Sequence, residues 1–150
     1  MARVKISNYL KKGNIQFIKS SKKKEALKEL FEIINNDPKL EDKNLFKEFL
    51  KREKIMSTGI GVGIAIPHIK HSTIKDFVVA IGISKKGIKF DAIDNMPVHI
   101  IIMVAAPAHK HSEYLKLLAR IVLVLKNNDL RKKIIASKNI DEIYTQFTNA

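Results

Sequence analysis

The chain has six glycines, and three of them alternate at Gly59, Gly61 and Gly63. Ile64, Ala65 and Ile66 follow, then Pro67 and His68, with Arg52 and Thr58 upstream. Each of these residue types suits phosphate. Glycine lets backbone N–H groups approach an anion closely. The planar fork of arginine pairs with phosphate oxygens, and Thr58 offers a hydroxyl. A histidine is substantially neutral near pH 7, so its ring nitrogen is a nucleophile that needs no separate base. Phosphoryl transfer mainly requires a protein to position the reactants and neutralise charge. A loop that can hold phosphate, a strand that fixes position and a histidine at its mouth together make a phosphoryl-accepting site.

Other chemistries fit less well. The glycine spacing is not a dinucleotide fingerprint, because the third glycine of that motif would fall at Ile64, and no Walker lysine precedes a Ser or Thr. Taken alone, three alternating glycines equally describe a bulged or twisted strand. Arg52, Thr58 and the Ile66-Pro67-His68 sequence decide between the two. His109 and His111 have a metal-like spacing, but no carboxylate cluster accompanies them, so no metal site is expected. His71 reads as a surface residue and His99 as a structural one. Asp91 and Asp94 read as turn formers.

The elements that must position His68 follow from hydrophobic periodicity. A short helical turn is expected over residues 6–12, stopped by Gly13. Ile15 to Ile18 reads as a strand. Ser21 is placed to cap a helix over 22–35, with Ala26, Leu27, Leu30, Phe31, Ile33 and Ile34 on one face. Asp42 is placed to cap a second helix reaching Lys54, with Leu45, Phe46, Phe49 and Leu50 buried and Arg52 and Glu53 at its end. The apolar run 64–66 is a strand that Pro67 stops, so His68 is expected just past it. Residues 77–83 form a strand buried on both faces, 85–87 a turn, 88–90 a short returning strand, and 98–106 the most apolar strand. Ser112 is placed to cap a helix reaching Lys126, apolar nearly all round and therefore deeply buried. Asn127 to Asp129 cap a short helix through Ile135, and a last helix over roughly 140–148 carries Asp141 and Glu142 in its first turn. The expected fold class is α/β, a single domain over 1–150 with a mixed β-sheet flanked by helices.

Composition excludes several classes. At 150 residues and 45% hydrophobic, the chain can bury a core. It has no cysteine, hence no disulfide framework, thiolate metal site or cysteine nucleophile. No apolar run approaches the roughly 20 residues of a membrane span, so no membrane insertion and a cytoplasmic location are expected. The net charge of +13 raises the question of nucleic acid, but the excess is spread over both halves and aromatics are only 7%. Single-strand binders pair charge with stacking aromatics, so no specific nucleic-acid partner is expected. A basic surface still steers an acidic or phosphorylated partner.

The stretch Arg52-Glu53, then Thr58-Gly-Ile-Gly61-Val-Gly63-Ile-Ala-Ile-Pro-His68, resembles the enzyme IIA domain of the fructose/mannitol type, including its nitrogen-regulatory branch. That domain belongs to the bacterial phosphoenolpyruvate-dependent sugar phosphotransferase system. Gly87 to Asp91, Pro97-Val98 with the strand ending at Pro107, and Leu115 to Ala119 extend the resemblance over most of the chain. The resemblance implies that His68 accepts a phosphoryl group from the phosphohistidine of HPr, or of its nitrogen-branch counterpart. The group would then pass to a cysteine of an enzyme IIB domain in sugar uptake. Alternatively, the phosphorylation state of His68 would control binding to a regulated protein. The resemblance places Arg52 beside the active histidine and lines the phosphate pocket with Thr58, Gly59 and Gly61. No cofactor is implied beyond the covalent phosphohistidine intermediate. Many members carry a second histidine where this chain has Tyr114; either His111, one helical turn earlier, or the Tyr114 hydroxyl would stand in for it.

Overall fold

The computed structural model describes residues 4–148 and 150. Chain order is β1 (Ile15–Phe17), α1 (Lys23–Asn35), α2 (Phe46–Ile55), β2 (Gly59–Gly61), β3 (Ile64–Ala65), β4 (His68–His71), β5 (Val78–Ile88), β6 (Val98–Pro107), α3 (His111–Leu125), α4 (Asn128–Ala136) and α5 (Ile140–Thr148). The sheet runs β1-β5-β6-β3-β2, with β4 also paired to β6. β5 and β6 are antiparallel, while β1 lies parallel to β5 and β3 and β4 lie parallel to β6, so the sheet is mixed.

Both faces of the sheet are covered, which explains the unbroken apolar runs of β5 and β6. Val79, Ile81, Ile83, Ile100, Ile102 and Val104 pack with α3, α4 and α5 on one face. Val78, Ala80, Ile101, Met103 and Ala105 pack with α1 and α2 on the other. The alternation follows the two-residue strand period. Leu27, Leu30, Leu45 and Phe49 are fully buried, each contributing roughly 1.5–3 kcal/mol. α1 lies close on the sheet at Gly82, where a Cβ would collide with Ile18 and press on Leu30.

β3 and β4 behave as one strand with a gap. Ile64 and Ala65 face Ile100 and Ile101, and His68 to His71 face Val104 to Pro107, with the same offset along β6 on both sides of the gap. Pro67 has no N–H to give the ladder, yet its carbonyl accepts from Val104 N–H at 2.9 Å. The expectation that the strand ends at Pro67 is therefore corrected. His68 opens β4, held in register by the long neighbouring strand.

Several local expectations also change. Ser21 does not cap α1; the Ser20 hydroxyl accepts from Lys22 N–H, and the Glu29 carboxylate accepts from Lys19 and Ser20 N–H. Asp42 does not cap α2. It accepts from Asn44 N–H in the preceding turn, and the helix starts after the buried Leu45. α3 begins at His111, so Ser112 lies inside it. Only its Tyr114, Leu117, Ile121 and Leu125 stripe is buried, while Leu115 and Leu123 are 52% and 60% exposed. Composition alone had suggested burial all round. Residues 85–87 form an irregularity within a continuous β5 rather than a turn between two strands. Residues 6–8 and 12–14 form two short 3-10 turns. The Asn127 cap of α4 is present, its side chain accepting from Leu130 N–H.

Candidate functional site

His68 is half-buried at the start of β4. Its Nδ1 lies 2.6 Å from the carbonyl oxygen of Ile66. A carbonyl only accepts, so Nδ1 carries the proton and donates it. That fixes the tautomer and leaves the Nε2 lone pair free. The ring pKa is lowered from 6.5, first because burial disfavours the charged form. The Ile66 carbonyl raises it, the Arg52 charge lowers it further and Glu53 raises it. The net result is a neutral imidazole near pH 7.

The ring opens into a cleft of about 300 Å³ between α2, β4 and α3. Arg52 and Lys51 line it from α2, Lys70 from β4 and Tyr114 from α3. Arg52 Nη1 donates to the Met56 carbonyl at 2.7 Å, which holds the guanidinium at the C-terminal end of α2, where a cation is favoured by the helix dipole. Tyr114 is largely buried, with its ring centroid 6.0 Å from that of His68. Burial pushes its phenol up to about 12, against the lowering effect of Arg52, so it keeps its proton and remains a donor. The exposed His111 ring lies 6.3 Å from that of Tyr114, and its Nδ1 lies 2.6 Å from Lys70 Nζ. Both candidates for the second-histidine position therefore reach the cleft region, with Tyr114 beside His68 and His111 beside Tyr114. Ile55 and Met56 at the end of α2 are 82% and 64% exposed. Leu115, in the first turns of α3, is exposed as well.

Thr58, Gly59 and Gly61 are not brought into this cleft. Thr58 is buried, and both its N–H, at 3.2 Å, and its hydroxyl donate to the Glu53 carboxylate. Gly59 packs against the loop after β5: a Cβ there would fall 2.7 Å from Ala92 Cβ. Its N–H donates to Ser57 Oγ. Gly61 and Gly63 have φ of 98° and 81° and turn β2 back onto β3, a conformation glycine adopts without strain. Val62 N–H donates to Asp94 Oδ2 at 3.0 Å. The glycines thus build a hairpin clamped by Asp94. They position β3, and through it β4, rather than lining the cleft around His68.

Glu53 was placed at the end of α2 by the sequence, but no role was expected of it. It is almost fully buried, receives the Thr58 donors and pairs with Lys23 Nζ at 2.8 Å. It thereby ties α1, α2 and the start of the hairpin together behind His68. One signal was available: an acid in the last turn of a helix opposes the dipole, so it needs a partner elsewhere.

The remaining histidines have local partners or none. His71 Nδ1 accepts from Thr73 N–H, His99 Nδ1 donates to the Ser84 carbonyl, and His109 is exposed. Among the described residues no three His, Asp or Glu side chains gather as metal ligands. Among them, too, no helix is long and apolar enough to cross a membrane.

A neutral nitrogen nucleophile of fixed tautomer, flanked by cations in an open cleft, can take up a phosphoryl group and hold it. Residues 8–150 match the family model described as phosphoenolpyruvate-dependent sugar phosphotransferase system, EIIA 2. The chain is 34% identical over 142 residues to the fructose-specific EIIABC component of Bacillus subtilis, covering 93% of this chain but 22% of that protein. It is 32% identical over 128 residues to the nitrogen regulatory protein of Bradyrhizobium diazoefficiens, covering 85% of this chain and 84% of the relative. The crystal structure of the nitrogen regulatory protein IIA-Ntr from Neisseria meningitidis superposes with a TM-score of 0.88 at 26% identity, covering 95% of this chain and 99% of that one.

Proposed function

Because this chain belongs to the EIIA 2 family of the phosphoenolpyruvate-dependent sugar phosphotransferase system, we propose that it is a phosphocarrier whose acceptor atom is Nε2 of His68. The Nδ1 hydrogen bond to Ile66 carries this reading, since it reserves the other nitrogen for phosphorus. The Nε2 lone pair attacks phosphorus of the phosphohistidine of HPr, or of its nitrogen-branch counterpart. The donor N–P bond breaks, and the donor imidazole departs with the electron pair. The Nδ1 proton stays on His68 throughout. Arg52 neutralises charge on the transferring oxygens, which is where a loose phosphoryl transition state needs help. Tyr114 supplies a protonated hydroxyl from the α3 side. Delivery reverses the step, with a cysteine thiolate of an enzyme IIB domain attacking phosphorus. The name of the Bacillus subtilis relative joins A, B and C in one component, which supports a IIB recipient. The exposed Ile55, Met56 and Leu115 suit contact with protein donors and recipients. The cycle calls for no cofactor and fits a cytoplasmic protein.

The test is incubation with phosphoenolpyruvate, enzyme I and HPr, followed by mass spectrometry of acid-labile phosphate. Wild type should gain one phosphoryl group on His68, and His68→Gln none. An unlabelled wild type, or a labelled variant, refutes the reading.

A second reading keeps the chemistry and changes the recipient. The likeness to nitrogen regulatory proteins extends over nearly the whole chain and over most of each of those proteins. On this reading the phosphorylation state of His68 selects a regulated partner. Pull-downs with His68→Ala and the charge-bearing His68→Asp should then recover different proteins; identical sets would rule out a switch.

A further inference from the structure

Alternate residues of a strand share a face, so Lys70 projects on the same side of β4 as His68. Its side chain lines the His68 cleft. The ammonium lies 2.6 Å from His111 Nδ1 and 5.8 Å from the centroid of the Tyr114 ring, the ring beside His68. Among the described residues no carboxylate pairs with it. An ammonium only donates, so the His111 lone pair accepts, and the ring face adds a cation–π attraction. Both are weak partners for a full charge compared with a phosphoryl oxygen.

We infer that Lys70 is a second, movable cation for the phosphoryl group, resting on His111 and Tyr114 while His68 is unmodified. Arg52 differs, because its bond to the Met56 carbonyl fixes it at the end of α2. The two cations thus line the His68 cleft from different elements. As the new N–P bond forms at Nε2 and the donor N–P bond breaks, Lys70 Nζ leaves His111 and donates to a phosphoryl oxygen. No proton changes owner in that movement, and His111 Nδ1 is left to water. This places Lys70 among the groups that touch the reacting atoms, and His111 one step behind it as the residue that positions Lys70.

The inference rests on His68 being the phosphoryl acceptor, and its test separates the two. Full-length wild type, Lys70→Met and Lys70→Arg are compared with two donors, phosphorylated HPr and the small molecule phosphoramidate, using phosphorus NMR. Urea unfolding curves matching wild type establish that the variants fold. Removing one charge-stabilising donor from a closed site costs a hundredfold or more, so the exposed Lys70 should be worth about tenfold to a hundredfold in kcat. Lys70→Met should show that loss with both donors, and Lys70→Arg should recover most of it. Undiminished labelling of Lys70→Met by phosphoramidate, with or without a slower reaction with HPr, overturns the inference while His68 stands. A wild type that takes no phosphate on His68 from either donor overturns both.

Discussion

Two of the hollows lined by cations lie at opposite ends of β5, and of these two one holds a histidine. The larger, about 490 Å³, lies where β1 ends beside the 83–86 segment of β5. Lys19, Lys85, Lys86 and Lys138 surround an apolar floor of Phe17, Ile18 and Ile83. The smaller, about 300 Å³, lies at the other end of β5 and holds His68. In the larger hollow Lys85 is already committed: its ammonium donates to the Ile135 carbonyl at 2.5 Å and to that of Ser137. It closes the C-terminal end of α4, as a cation there should. In the smaller, Arg52 and Lys70 stand around a ring whose proton is pinned by a carbonyl. Volume and positive charge are common in a chain of net charge +13. What distinguishes the smaller hollow is a half-buried neutral base with a fixed tautomer.

Substitutions in the two hollows should differ in effect, and the largest should come from the nucleophile itself. His68→Gln should abolish acid-labile phosphorylation while leaving the unfolding curve near wild type. Arg52→Ala comes next: about a hundredfold slower transfer, by stopped flow with phosphorylated HPr, because a charged donor at the transferring group is lost. Arg52→Lys should recover only part, since lysine has no planar fork. Glu53→Ala should act on stability rather than on chemistry. It strands the buried Thr58 donors and Lys23, and a loss of about 2–4 kcal/mol is expected in urea unfolding. Titration by NMR should place the His68 midpoint below 6.5, because burial holds the folded-state value down. The sign follows: below the unfolded value the unfolded chain binds more protons at this site, so its contribution to stability is present above pH 6.5 and fades on acidification. The transfer rate should keep its level down to the same lowered midpoint. The smallest effect belongs to the larger hollow. Lys86→Ala with Lys138→Ala should leave transfer unchanged and stability within about 0.5 kcal/mol, and a marked loss of transfer would erase the distinction between the two hollows.

The fold was legible where periodicity was strong. The helices around Leu27 to Ile34, Leu117 to Leu125 and Ile143 to Phe147 appear where their apolar spacing put them, as do the apolar stretches Val78 to Ile83 of β5 and Val98 to Ala106 of β6. Caps were less legible, because a Ser or Asp near a helix start has several backbone donors within reach. α1 starts with no side-chain cap, Ser20 and Glu29 holding instead the turn before it, and Asp42 served a turn. The exposed face of α3 was misjudged because leucine content does not say how many neighbours a helix has. At the site, Arg52, His68, His111 and Tyr114 were identified from type, spacing and family pattern, and the fold brings them around one cleft. Thr58, Gly59 and Gly61 were identified by the same means and fold elsewhere, because glycine serves a tight hairpin as readily as an anion.

Residue order alone carries the layered α/β architecture, the family and the residue types that meet at His68. Apolar period and local residue chemistry act over a few positions, and that information lies in the chain order. Folding settles which nitrogen of His68 is free, that Glu53 is buried behind it and that Lys70 faces the same cleft. Those facts depend on backbone carbonyls, helix ends and side chains that come together only when β4 is held in register against β6 and α2 and α3 close over it.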